Sequence, residues 1–206
     1  SMVNMGAIDL TVNSLGATVD AGDISSNHTG TTVLNYTADA ASVTAKTVQT
    51  PLAEMTFAGT SDLTVNVGAY TDNSGSVITA ASATSLAINV ASGMNSAATP
   101  AELTVFGGNV TAAKATSLTI VADGKIDTPT VTVAKAINAT ITNGANAGTM
   151  VLDAAVLEEL TVVSGKTFDM SSSVLTKVQT ADLTANDGLF DLVGETLPAI
   201  SSLTVK

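Results

Sequence analysis

Residues 78–90 read ITAASATSLAINV and residues 110–122 read VTAAKATSLTIVA, with eight of thirteen positions identical at an offset of 32. Neither copy carries a cofactor, phosphate or nucleophile motif, so the repetition is structural. Each pairs a small-residue stretch (TAASAT, TAAKAT) with an alternating one (SLAINV, SLTIVA). Period-two alternation of aliphatic with small or polar residues is what a strand needs when one face is buried. The alanines allow a sharp turn where larger side chains would clash.

The strand phrase recurs along the chain. It reads DLTVN at 9–13, DLTVNV at 62–67, ELTVF at 102–106, TVTVA at 130–134, ELTVV at 159–163, DLTAN at 182–186 and SLTV at 202–205. Thr and Val suit strands because their branched Cβ fits a pleated surface. ASG (91–93), GGN (107–109), ADG (122–124) and VSG (163–165) follow several of these, and read as corners with Gly at positive φ. Between them lie second aliphatic segments: TTVLNY (31–36), ASVTAKTV (41–48), GSVITA (75–80) and GTMVLDA (148–154). Pro51, Pro100, Pro129 and Pro198 read as corner residues.

One such strand cannot bury its inner face alone, but coils stacked on one another can. The expected fold is therefore all-β, an irregular parallel β-helix (solenoid), with residues 1–206 as a single domain. The steps from Leu103 to Leu118 and from Leu118 to Leu160 are unequal, so coil lengths should vary around roughly 20–30 residues. Composition agrees. The chain has four Phe, two Tyr and no Trp, so its core must be built from thin aliphatic layers.

Charge and residue types exclude several function classes. The formal net charge is −11, every basic residue is Lys, and Arg is absent. Such a chain is repelled by nucleic-acid phosphates and lacks the bidentate contacts nucleic-acid binders favour. No apolar run is long enough for a transmembrane helix. The absence of Cys removes disulfides, thiol nucleophiles and cysteine-bound zinc. SMVNMGAIDLTV lacks the features of a signal peptide, and Ser1 before Met2 reads as a cloning remnant on an excised fragment.

Enzymatic activity is not expected. His28 lies in SSNHTG, which reads as an exposed loop, and the adjacent Glu158 and Glu159 would point to opposite faces of a strand. GGNVTAAKA, with Lys114, lacks the ending that wraps phosphate. Calcium is the cofactor the residues suggest, because hard cations take clustered oxygen ligands. The candidate positions are Asp123 with Asp127, Asp20 with Asp23, and Asp187 with Asp191.

The Thr, Ala, Val, Asn and Gly bias, the missing Cys and the reiterated SLTI, ELTV and DLTV strands resemble surface-layer proteins of Gram-negative bacteria. More loosely they resemble the repeat regions of large secreted adhesins. The resemblance implies a right-handed parallel solenoid on the cell exterior that assembles with other copies into a calcium-dependent lattice. It also implies flanking domains in the full-length protein, type I export and contact with cell-surface polysaccharide. That group's G-G-x-G-x-D repeats are absent, and FGGNV at 106–110 stops short of one. The alternative is a repeat module of a secreted adhesin or glycan-binding protein, for which a row of exposed Tyr and polar groups would speak.

Overall fold

The computed structural model describes residues 6–15, 24–45, 48–50, 54–93, 104–144, 146–192 and 197–206. They wind into a nearly all-parallel β-solenoid of about eight turns. One sheet runs in the order β1 (Leu10–Leu15), β3 (Thr32–Thr37), β5 (Asp62–Val67), β7 (Ser85–Val90), β10 (Ser117–Ala122), β12 (Asn138–Asn143), β14 (Glu159–Ser164), β16 (Thr180–Ala185) and β18 (Ser202–Val205). Facing it, the second sheet runs β2 (Ile24–Ser26), β4 (Glu54–Phe57), β6 (Val77–Thr79), β9 (Asn109–Thr111), β11 (Lys125–Thr132), β13 (Gly148–Asp153), β15 (Phe168–Asp169) and β17 (Phe190–Asp191). The short β8 (Val105–Phe106) pairs with β11 beside this path.

Register in the first sheet advances by 22, 31, 23, 32, 21, 21, 21 and 22 residues per coil. The basic coil is thus about 22 residues, and two coils carry an insertion. Three columns point inward along this sheet. One is Val12, Leu34, Val65, Ile88, Ile120, Ile141, Val162, Leu183 and Val205. All but the last of these are no more than 8% exposed. Coils about 4.8 Å apart hold like side chains in contact, so each rung buries its neighbour. Phe57, Phe106, Phe168 and Tyr36 are fully enclosed as well, so the few aromatic residues contribute to the interior.

The opening phrase contains a repeated corner. Ala83 donates its N–H to the Ala80 carbonyl (3.2 Å), Ala115 to Ala112 (2.9 Å), Ala136 to Val133 (2.9 Å) and Leu157 to Ala154 (3.0 Å). In each turn the first and last residues are fully buried, and the two between them reach the surface. Six of these eight inward positions are Ala, which lets the chain reverse against the core and enter the next strand.

Several segments depart from the expected pattern. TVTVA belongs to the second sheet as the end of β11, whereas TTVLNY, as β3, belongs to the first. NATITN supplies β12, the coil hidden inside the long Leu118-to-Leu160 step; its inward Ala139 is too small to mark it as a strand. Residues 40–45 of ASVTAKTV and its flank form the helix α1 (Ala40–Ala45), because Asp39 Oδ1 accepts the Ser42 N–H (2.6 Å) as an N-cap. Of ELTVF only Val105–Phe106 is a strand, with residues 101–103 outside the described set. Pro129 lies inside β11 at a register break between Asp127 and Thr130, where the ladder needs no donor.

Corner glycines serve close approach rather than positive φ, which among glycines occurs at Gly6 and Gly75 of the described residues. A Cβ on Gly107 would sit 2.1 Å from Ser74 Oγ, and one on Gly124 would sit 2.7 Å from the Ala91 carbonyl oxygen.

Ile88→Ala would open a void in a fully buried stretch of an inward column and is expected to cost about 2–5 kcal/mol. Outward-facing Thr119→Ala should stay within about 0.5 kcal/mol. Urea unfolding followed by far-UV circular dichroism separates the two.

Candidate functional site

Polar chemistry concentrates in three places: an enclosed imidazole, an outward row of amides and the acidic corners. His28 is fully buried. Ser26 Oγ lies 2.9 Å from Nδ1 and Thr32 Oγ1 lies 2.8 Å from Nε2. Thr32 in turn meets Thr60 Oγ1 of the next coil at 2.8 Å, and Thr60 donates to the Gly30 carbonyl (2.9 Å). The Phe57 ring packs edge-on, 6.3 Å from the imidazole centre. Thr32 stands in the inward column between Leu10 and Leu63, a polar position that gives His28 its partner. The expected exposed loop is therefore a buried polar strut joining neighbouring coils. Local sequence does not reveal it, because Thr60 and Phe57 arrive from a coil away.

On the outward face of the first sheet, Asn13, Asn35, Asn66 and Asn89 occupy the same register position in four consecutive coils. Asn35 Nδ2 donates to Asn13 Oδ1 (2.9 Å), Asn66 to Asn35 (2.8 Å) and Asn89 to Asn66 (2.8 Å). Such an amide ladder ties coils together outside the core much as it does in stacked sheets. Its sequence signal is Asn in fourth place in LTVN, TVLN, LTVN and LAIN. The ladder ends at a groove of about 310 Å³ lined by Asn66, Asn89, Asp123, Val67, Val90 and Val121, with Gly68 and Ala91.

The calcium candidates are scattered over the stack. Asp123 is exposed at the groove. Asp127, on β11, forms an ion pair with Lys125 at 3.0 Å. Asp187 is bonded to Lys166, whose hydrogen bond and charge hold its carboxyl below the ordinary value. Asp191 lies on β17 in register with Asp169 of β15, so the stack aligns two acids one coil apart. The carboxyl of Asp169 is itself held down by the Ser171 backbone N–H (2.9 Å) and hydroxyl. Asp20 and Asp23 lie outside the described residues. Among the described residues no three His, Asp or Glu side chains gather as a metal-holding group.

The tyrosines form no surface row: Tyr36 is fully buried, burial pushing its hydroxyl up to about 12, and Tyr70 is half-buried at a φ of 62°. No helix among the described residues is long and apolar enough to cross a membrane. The fold defines the molecule as a parallel β-solenoid. Compared with known proteins, the chain matches no family model, no curated protein and no solved structure.

His28→Ala would remove the ring and leave the Ser26 and Thr32 hydroxyls short of a partner in the interior. The expected loss is about 2–4 kcal/mol, measurable by urea unfolding of wild type and variant. Acid should act through the carboxyls. Those of Asp9, Asp39, Asp169 and Asp187 all lie below the ordinary 3.8, mainly through hydrogen bonds from Thr31, Ser42, Ser171 and Lys166. A depressed folded-state value stabilises above the unfolded value, and that stabilisation is lost as pH falls through the folded one. The difference in thermal midpoint between wild type and D169N/D187N should be constant above about pH 5 and shrink below about pH 4.

Proposed function

We propose that the chain is a structural module of a bacterial surface layer, located outside the cell and acting by self-assembly rather than by turnover. The observation that carries this reading is the stack itself: about eight coils in parallel register. At about 4.8 Å per coil they form a rod of roughly 38 Å. A body of this kind offers the same contacts at fixed intervals along its length, which suits a lattice of identical copies and flanking domains. The resemblance to surface-layer proteins in composition and strand phrase supports the same reading.

Eighteen acidic residues against seven Lys set copies against one another electrostatically. Calcium bridging of carboxylates is the proposed trigger for assembly, with exposed Asp123 and the aligned Asp169 and Asp191 as oxygen donors. The second reading, a glycan-binding or adhesin module, draws on the groove at the end of the asparagine ladder. There Asn66, Asn89 and Asp123 offer amide and carboxylate groups to sugar hydroxyls.

Dynamic light scattering distinguishes the two readings. Particles should grow in millimolar calcium and revert with chelator, and the protein should be accessible to protease on intact source cells. Unchanged size in both buffers, together with glycan-array binding abolished by Asn89→Ala, would favour the second reading.

A further inference from the structure

Of the chain's asparagines, Asn143 alone is followed by glycine. Such a pair carries its own chemistry. Glycine has no Cβ to shield its nitrogen and turns freely, so in an open chain the Gly144 nitrogen can reach Asn143 Cγ. That nitrogen gives its proton to solvent and bonds to Cγ. The Cγ–Nδ2 bond breaks, and Nδ2 leaves as ammonia. Water then opens the succinimide ring at either carbonyl, giving Asp, or isoaspartate with the main chain rerouted through the side chain.

The fold withholds each reactant. Asn143 ends β12, in register with Ala122 of β10 on one side and Ser164 of β14 on the other, and is 1% exposed. Its Nδ2 donates to the Asn146 carbonyl (2.7 Å) and to Ser164 Oγ (2.9 Å). The Gly144 N–H, which must lose its proton, donates to the Ala122 carbonyl at 2.6 Å. The Gly165 N–H holds the carbonyls of both residues, at 2.9 and 3.1 Å. Ring closure needs these contacts broken together, which means parting the coils.

The product does not fit the site that the amide leaves. Asn143 Oδ1 is already buried without a hydrogen-bond partner. Conversion to Asp would put a second carboxylate oxygen where Nδ2 was, against the Asn146 carbonyl and Ser164 Oγ. The Ser164 hydroxyl is committed to the Lys166 carbonyl (2.6 Å), and the Lys166 ammonium pairs with Asp187. A buried charge without donors is costly. Isoaspartate adds a further carbon to the main chain at the end of β12, where pairing with β14 depends on register.

We infer that the Asn143–Gly144 pair is a modification site that records opening of the stack. It stays an amide while the coils are closed, converts when they part, and then bars restacking at that point. Unfolding becomes irreversible when the open chain is altered faster than it refolds. The inference is independent of the surface-layer reading.

Peptide mapping by mass spectrometry tests it. The full chain is kept at neutral pH and one temperature, in native buffer or in guanidinium chloride above its unfolding midpoint. Conversion at Asn143 should be at least about 100-fold slower in native buffer, because modification follows the open fraction. Gly144→Ala should slow it in the unfolded chain. Intact and converted chains, separated by ion exchange and returned to native buffer, are then compared by circular dichroism. The intact chain should recover its spectrum and thermal midpoint, and the converted chain should not. Asn143→Ala places in this column the residue that Ala122 and Ala185 already supply, and should refold after the same incubation.

Equal rates in the two buffers would overturn the inference, since the closed coil would then give no protection. A converted chain that regains the wild-type midpoint would overturn it as well. Loss of refolding by Asn143→Ala to the same extent as wild type would place the damage elsewhere. Should that variant not fold at all, the comparison of intact with converted wild type decides alone.

Discussion

Stacking of one aliphatic side chain on its equivalent in the next coil is the constraint on which the molecule depends. Val65, Ile88, Ile120, Ile141 and Val162 form an unbroken stretch of such contacts, each fully buried. No single layer encloses a core of its own, so each rung is stable only because the next rung is in register. Register is consequently what the rest of the sequence protects. The small-residue corners return the chain to the same height, and glycines such as Gly107 and Gly124 clear the way for the neighbouring coil. The two insertions leave the sheet pairing intact.

Polar groups reinforce the same register from inside and outside. The His28, Thr32 and Thr60 chain fixes one coil to the next within the interior, and directional hydrogen bonds tolerate less slippage than aliphatic contact does. The four asparagines do the equivalent work on the outward face. Both features lie in the first half of the stack, next to the coils of uneven length. The second half, with steps of 21 or 22 residues, has a buried tie of its own, from Asn143 Nδ2 to Ser164 Oγ (2.9 Å) across β12 and β14.

How much of this was legible in the sequence depends on how local each cause is. The SLTI and DLTV phrases carry their burial pattern in five or six residues, so the all-β stack, its parallel coils and most of its strands can be read directly. β12 is harder, because Ala139 and Thr140 give little hydrophobic contrast, and only Ile141 marks the inward face. Asp39, capping α1, was present in the text, but the alternating ASVTA beside it argued for a strand. His28 was out of reach, since its burial is decided by residues a coil away. Of the candidate calcium positions, spacing along the chain identified acids but not their lysine partners: Lys125 lies two residues from Asp127, yet Lys166 reaches Asp187 from the preceding coil.

The two longer coils have a further consequence. Both insertions fall at the same corner, between a first-sheet strand and the second-sheet strand that follows it. There Gln49 bridges to Thr71, Asp72 to Val105, and Val105 to Lys125, so four consecutive coils, two of them with insertions, form a short third side. This corner behaves as a seam: chain can be let out or taken in there while the sheets on either side keep their alignment. Foreign peptides grafted at the seam would be displayed at the flank of an otherwise undisturbed rod, which makes it the natural place to vary such a scaffold.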